Sequence, residues 1–65
     1  MEIIINGKNR KVGVKTLKDL MIFLNFDPEK VIVSVNGELV EKKLYSKTAL
    51  SEGDNVDVFS FVGGG

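Results

Sequence analysis

The only run of glycines in this 65-residue chain is Gly63-Gly64-Gly65, and it ends the sequence. Three residues without side chains make a thin thread of backbone that can enter a narrow cleft in another protein. At the end of the thread we expect the Gly65 carboxylate, whose ordinary pKa of about 3.3 to 3.7 leaves it ionised at neutral pH. Such a group could act as a nucleophile if a partner protein supplied an activator. The alternative is a frayed end without function, since chain termini are often loose.

The remaining residues lack the side chains that most often carry out catalysis. The chain contains no cysteine and no histidine. Disulfides, thiolate metal sites, nucleophilic thiols and imidazole bases are therefore excluded. We expect no catalytic residue, no metal site and no bound cofactor, so the isolated chain is predicted not to be an enzyme.

Charge and hydropathy indicate which partners to expect. Nine basic and nine acidic side chains give zero formal net charge, whereas non-specific nucleic-acid binding needs a large positive field. Lys8, Arg10 and Lys11 form a small basic cluster, which we interpret as the solvated end of a hairpin. No apolar stretch approaches the ~20 residues that span a bilayer, and no basic signal segment opens the sequence. We therefore expect a cytoplasmic protein with neither a nucleic-acid nor a membrane partner.

Two asparagine-glycine pairs predict two β-hairpins, because both central positions of a type I′ turn need positive φ. The first hairpin has an isoleucine-rich strand at residues 1–5, a turn at Asn6-Gly7 and a short return strand around Val12 and Val14. The second has strands at residues 31–35 and 38–40 joined by Asn36-Gly37.

One helix is predicted between the hairpins. Thr16 is suited to begin it, and Asp19 lies three residues later, where it can help to satisfy the first-turn amides. Residues 25–28 end the helix, because asparagine tolerates the left-handed cap position and proline cannot continue the helical hydrogen bonds. The apolar residues of the helix share one stripe that should face the sheet: Leu17, Leu20, Met21 and Leu24.

After the second hairpin, residues 41–50 are polar and predict an irregular segment. Leu44, Tyr45 and Leu50 are its expected anchors in the core. A turn at residues 51–54 precedes the last strand, which is predicted at residues 56–61.

This order of elements predicts an α+β fold, the ubiquitin-like β-grasp. Its mixed sheet has four to five strands with one main helix packed across it, and the first and last strands pair side by side at the sheet centre. Residues 1–62 form the domain in this prediction, and residues 63–65 form a flexible tail.

Alternation along the last strand predicts a docking surface. Val56 and Val58 suit the core, which leaves Phe59 and Phe61 on the open sheet face. Exposed aromatic rings favour a protein partner, so Phe59, Phe61 and Val62 are the predicted partner-binding residues. The alternative is that the two rings cover the edge of the core.

Taken in order, these features resemble the small β-grasp sulfur carriers, most closely those of the thiamine pathway. The resemblance spans the whole chain. It rests on the Asn6-Gly7 hairpin, the helix at residues 16–24, the sequence VNGE at 35–38, the sequence LSEGDNVDV at 50–58, and the terminal FVGGG. The family needs only the last two glycines, so Gly63 is an addition.

The resemblance implies a mechanism in which other proteins supply the catalytic groups. An adenylating, E1-like enzyme would use ATP to convert the Gly65 carboxylate into an acyl adenylate, because a carboxylate needs a leaving group before it can react. A sulfur donor such as a cysteine desulfurase or a persulfide protein would then displace AMP and leave a thiocarboxylate on Gly65. In the thiamine branch, a thiazole synthase would receive the sulfur.

Three alternatives remain at this stage. The small subunit of molybdopterin synthase has the same fold and tail chemistry, but its members are usually longer and tend to have prolines before the final glycines. A β-grasp binding module that is not a carrier would not need a terminal glycine carboxylate. Conjugation to lysines, as in ubiquitin, would use the same activated end.

Overall fold

A computed structural model of the chain describes residues 1–60, which form a five-stranded sheet and one α-helix. The predictions for Phe61, Val62 and the three glycines lie outside the described residues, and so does the boundary between domain and tail. In chain order the elements are β1 (Glu2–Ile5), β2 (Lys8–Lys11), α1 (Leu17–Phe23), a 3₁₀ turn (Pro28–Lys30), β3 (Val31–Val35), β4 (Glu38–Val40), a 3₁₀ helix (Lys42–Lys47) and β5 (Asn55–Ser60).

The strands lie in the order β2-β1-β5-β3-β4. β1 and β5 run parallel, while the other neighbouring pairs are antiparallel. The prediction of a mixed sheet with the first and last strands side by side is confirmed. β5 is therefore the central strand of the sheet.

Both asparagine-glycine pairs form the predicted turns. Asn6 and Gly7 have φ values of 49° and 84°, and Asn36 and Gly37 have values of 52° and 86°. Positive φ at both central residues defines the type I′ hairpin, whose twist matches that of the strands it joins.

The return strand of the first hairpin is not where its valines predicted it. The two-residue turn places Lys8 directly opposite Ile5, so pairing resumes at once and β2 is Lys8–Lys11. Val12 lies just beyond β2, is buried, and exchanges two backbone hydrogen bonds with Met1 at 2.8 and 2.9 Å. Val14 is half-buried against the core. Turn geometry therefore determined the register. The polar side chains of β2 show no apolar alternation, so the sequence pattern did not predict this strand.

The helix has the predicted start, face and end. The Thr16 hydroxyl oxygen accepts a hydrogen bond from the Asp19 amide at 3.2 Å. At the other end Asn25 is left-handed, with φ of 65°, and the Phe26 amide donates to the Met21 carbonyl at 2.8 Å. This closing pattern satisfies carbonyls that the end of the helix would otherwise leave without partners. Of the apolar stripe, Leu24 is partly buried and the other three members are fully buried: Leu17, Leu20 and Met21.

The segment after β4 contains a 3₁₀ helix, Lys42–Lys47, where the sequence predicted irregular structure. Tyr45 and Leu50 are buried as expected, but Leu44 is 41% exposed and is not a core anchor. With three residues per turn, adjacent side chains of a 3₁₀ helix point about 120° apart, so Tyr45 occupies the inward position that Leu44 cannot share.

The hydroxyl of Tyr45 has a partner inside the core. It donates a hydrogen bond to the Val31 carbonyl at 3.2 Å. Burial raises the pKa of this hydroxyl above its ordinary value. The hydrogen bond that this hydroxyl donates ties the 3₁₀ helix to the start of β3.

The core lies between α1 and one face of the sheet. In residues 1–60 it contains only apolar side chains and Tyr45, and no buried side-chain nitrogen or oxygen lacks a partner there. None of the helices in this part of the chain is long and apolar enough to cross a membrane.

Candidate functional site

Strand β5 leads to the glycine tail, and its two halves are held differently. β3 pairs with it along its length, from Val35 opposite Val56 to Val31 opposite Ser60. On the other side, β1 pairs only with Asn55 and Val56. The second half of β5 therefore has a strand on one side only.

The side chain of Asn6 continues the pairing where β1 ends. Its backbone amide donates to the Val56 carbonyl at 2.9 Å, and its Oδ1 accepts from the Val58 amide at 2.8 Å. An asparagine side chain thus takes the position that the next backbone carbonyl of a longer β1 would occupy. Because Asn6 also has positive φ in the turn, the same residue closes the hairpin and holds the strand that precedes the tail.

The second turn asparagine secures the beginning of β5. Asn36 makes two hydrogen bonds with the backbone of Asn55. Its own backbone amide donates to the Asn55 carbonyl at 2.7 Å, and its side-chain Oδ1 accepts from the Asn55 amide at 2.9 Å. Its side-chain amide also donates to Asp54 Oδ1 at 3.0 Å, while Asp54 Oδ2 accepts from the Ser51 amide at 2.7 Å. Asp54 therefore stabilises the turn into β5.

The two faces of β5 differ as the alternation predicted. Val56 and Val58 are buried, at 0% and 6% exposure, whereas Phe59 is 60% exposed on the open face. Its ring therefore does not cover the edge of the core. The exposure of Phe59 is confirmed, and its role in partner binding stays a prediction.

Two further apolar side chains share the open face with Phe59. Ile32 lies directly opposite it on β3, and Leu39 lies on β4 opposite Ser34, one diagonal step from Ile32. They are 46% and 75% exposed. Phe59, Ile32 and Leu39 form what we call the open-face patch, which crosses three neighbouring strands. Contiguous exposed apolar side chains are typical of protein-binding surfaces.

The residues predicted for this site did not include Ile32, Leu39, Asn6 or Asn36. Alternation within β3 could have placed Ile32 on the outer face, but only the strand order puts it beside Phe59. The need for positive φ in the turns already explained why Asn6 and Asn36 are asparagines. The sequence therefore did not indicate that their side chains also bond to β5.

Comparison with proteins of known structure identifies the fold class. The crystal structure of the thiamine biosynthesis protein (ThiS) from Geobacter metallireducens superposes on this chain with a TM-score of 0.84 at 33% sequence identity, covering all of both chains. The predicted ubiquitin-like β-grasp is therefore confirmed.

The chain belongs to the ThiS family, whose model matches residues 3–65. The sulfur carrier protein ThiS of Bacillus subtilis is 33% identical over 63 residues, which cover 94% of this chain and 96% of that protein. A thiazole synthase of Paramagnetospirillum magneticum is 36% identical over the whole chain, and one of Magnetococcus marinus is 40% identical. The chain spans only about 20% of the length of these two synthases.

The Asn6 contact to β5 leads to a prediction about stability. Replacing Asn6 with glycine keeps the positive φ without strain but leaves the Val58 amide without an acceptor. An unpaired, partly buried amide costs about 1 to 3 kcal/mol. We expect Asn6→Gly to lower the free energy of unfolding in urea by about that amount and to speed hydrogen exchange at Val58.

The matched control is Asn6→Asp, which keeps an acceptor oxygen and tolerates the left-handed conformation. It should exchange at Val58 more slowly than Asn6→Gly does. Equal stability and equal Val58 exchange in the two variants would show that the side chain does not hold β5.

Proposed function

We propose that this chain is a sulfur carrier that provides sulfur for thiazole formation in thiamine biosynthesis. The observation that carries the proposal is the family match over residues 3–65, which includes the glycine tail as well as the folded domain. The full-length similarity to the sulfur carrier of Bacillus subtilis supports it. The proposal also agrees with a sequence that has neither cysteine nor histidine, because in this role partner enzymes perform the catalysis.

In the proposed reaction, the Gly65 carboxylate attacks the α-phosphorus of ATP within an adenylating, E1-like enzyme and releases pyrophosphate. The acyl adenylate then has a good leaving group, which the free carboxylate lacks. The terminal sulfur of a persulfide, held by a cysteine desulfurase or another persulfide protein, displaces AMP at the acyl carbon and gives an acyl disulfide. A thiol of a partner protein then attacks the distal sulfur of that disulfide, which breaks the S–S bond and oxidises the thiol to a disulfide with the donor cysteine. The product is a thiocarboxylate on Gly65, which carries the sulfur to the next enzyme.

The proposed acceptor of the sulfur is a thiazole synthase. Two proteins called thiazole synthase contain a segment similar to this entire chain, which supports a functional link between carrier and synthase. We place the reactions in the cytoplasm, where ATP is available for the adenylation step.

In this proposal the tail carries the reactive carboxylate, and the open-face patch binds the partner enzyme. Gly63 to Gly65, fully extended, would reach roughly 10 Å into a cleft at ~3.6 Å per residue. Phe59 lies six positions before Gly65, so a partner that contacts the patch is close enough to receive the tail. We include Phe61 and Val62, which lie between them in sequence, in the proposed docking surface.

Intact-mass spectrometry tests the function. The chain is incubated with ATP, a cognate adenylating enzyme and a sulfur donor, and we expect one oxygen of Gly65 to be replaced by sulfur. Transfer of that sulfur to a thiazole precursor, and not to a pterin precursor, would establish the thiamine branch. Absence of any mass change with cognate enzymes would favour a binding module without carrier chemistry.

Adenylation should be sensitive to the width of the tail. Gly64→Ala, and more strongly Gly64→Val, adds a side chain to the thread that must enter the active site of the partner. We expect a lower rate of pyrophosphate release with no change in the urea midpoint of the domain. Unchanged adenylation kinetics for Gly64→Val would contradict the role of the glycines.

Docking through the open-face patch can be tested with two phenylalanines of similar exposure. Phe59 is 60% exposed on the sheet and Phe23 is 51% exposed on the helix, on the other side of the molecule. A buried hot-spot residue contributes more than about 1 kcal/mol to binding, or at least fivefold in affinity. We expect Phe59→Asp to raise the KM of the adenylating enzyme for the carrier by at least that factor.

The control Phe23→Asp should leave this KM within twofold of wild type. Equal effects of the two substitutions would mean that the patch does not contact the adenylating enzyme. Circular dichroism melting of both variants would separate loss of binding from loss of fold.

A further inference from the structure

Strand β2 forms one edge of the sheet, with no further strand on its outer side in residues 1–60. Its sequence, Lys8-Asn9-Arg10-Lys11, has three positive charges in four residues, and all four are exposed. The function proposed above uses neither this edge nor these charges.

The hydrogen-bonding phase of the hairpin shows which backbone groups are free. In an antiparallel pair, residues alternate between those bonded to the opposite strand and those facing outward. Met1 and Val12 exchange both backbone hydrogen bonds, so they are a hydrogen-bonded pair. From there along the hairpin, every second pair of opposite residues is hydrogen-bonded and the pairs between are not. The register then turns the amides and carbonyls of Asn9 and Lys11 away from β1, toward the open edge.

The side chains of β2 separate into two faces. Lys8 and Arg10 oppose the buried residues Ile5 and Ile3, so they lie on the helix side of the sheet. They line a groove of about 330 Å³ together with Ile5, Asn6, Leu24 and Phe26. The groove thus has two cations on one wall, while most of the remaining lining is apolar.

Within residues 1–60, neither cation of the groove has an acidic partner. The ion pairs of residues 1–60 are Lys42–Glu29 and Lys43–Glu41, both elsewhere on the surface. The acidic residue of β1, Glu2, stands directly opposite Lys11 in the sheet. Its side chain therefore lies on the face away from Lys8 and Arg10.

We propose that β2 is a second docking site, which binds an extended acidic segment of a partner protein as an added edge strand. The partner backbone bonds to the outward groups of Asn9 and Lys11. Its carboxylates, at alternate positions, oppose Lys8 and Arg10, because side chains on one face of a strand repeat every second residue. The apolar part of the groove accommodates the methylene groups of those acidic side chains.

Charge complementarity selects this occupant over a second copy of the chain. Two β2 strands side by side would bring lysine and arginine against lysine and arginine, and like charges directly opposite destabilise a sheet. Lysine-rich edges are a common protection against such self-pairing. The same charges favour a strand with carboxylates at alternate positions.

An NMR titration of the full chain tests the proposal. The probe is a capped six-residue peptide that alternates glutamate and threonine, and the control peptide has glutamine in place of glutamate. We expect saturable shifts at Asn9 and Lys11 with the acidic peptide, slower hydrogen exchange of these two amides, and weaker binding at high salt. The open-face patch should not respond, which separates this site from the docking proposed for Phe59.

The paired variants are Lys8→Gln/Arg10→Gln and Lys18→Gln/Lys47→Gln. The cations of the second pair are exposed, and they neither belong to β2 nor line the groove. The first variant removes two cross-strand charge pairs between β2 and the peptide, so we expect it to weaken acidic-peptide binding roughly 2- to 30-fold. The second variant should leave this binding unchanged. Equal losses in both variants, binding of the two peptides with the same affinity, or no saturable shift at several millimolar peptide would overturn the proposal.

Discussion

Strand β5 lies at the centre of the sheet, parallel to β1 on one side and antiparallel to β3 on the other. The parallel contact joins residues far apart in sequence, since Ile4 opposes Asn55. Closing so long a loop has an entropic cost that the pairing must offset. The central position of β5 helps to offset this entropic cost, because its inward side chains, Val56 and Val58, are buried beneath the helix. The rest of the core is arranged around this contact.

The two asparagine-glycine turns act on this central strand as well as on their own hairpins. Asn6 accepts from the second half of β5, and Asn36 accepts from its first residue. Short polar side chains that reach a neighbouring strand in this way extend its hydrogen bonding without extending the sheet. The strand that precedes the tail is therefore held on both sides, although β1 pairs with only two of its residues.

The open-face patch and the cationic edge strand lie at different places on the domain. The patch crosses β5, β3 and β4. At the opposite edge, β2 presents Lys8 and Arg10, which have no acidic partner within residues 1–60. The net charge of zero conceals this separation, because it sums over groups on different faces. A carrier of the kind proposed above, which would meet several enzymes in turn, has use for more than one such surface.

Local patterns in the sequence predicted the fold class, the helix with both of its ends, the two turns, and the exposure of Phe59. Each of these depends on neighbours within a few residues: periodicity, a capping hydroxyl, or a need for positive φ. The glycine tail was likewise evident from residue type and position, whereas the chemistry proposed for it rests on the family resemblance. The same local arguments failed for β2, whose polar residues have no apolar alternation, and for Leu44, which competes with its neighbour Tyr45 for one inward position.

The sequence by itself determined which segments become helix, turn or strand, and its resemblance to the sulfur carriers led us to propose Gly65 as the residue that carries the chemistry. Only the tertiary structure decided which side chains come together from different segments. It placed Ile32 and Leu39 beside Phe59, the Asn6 oxygen against the Val58 amide, and Lys8 and Arg10 against the end of the helix. The reason is physical: a strand's own pattern specifies its faces, whereas its neighbours depend on strand order and register. Those are set by the packing of the whole chain.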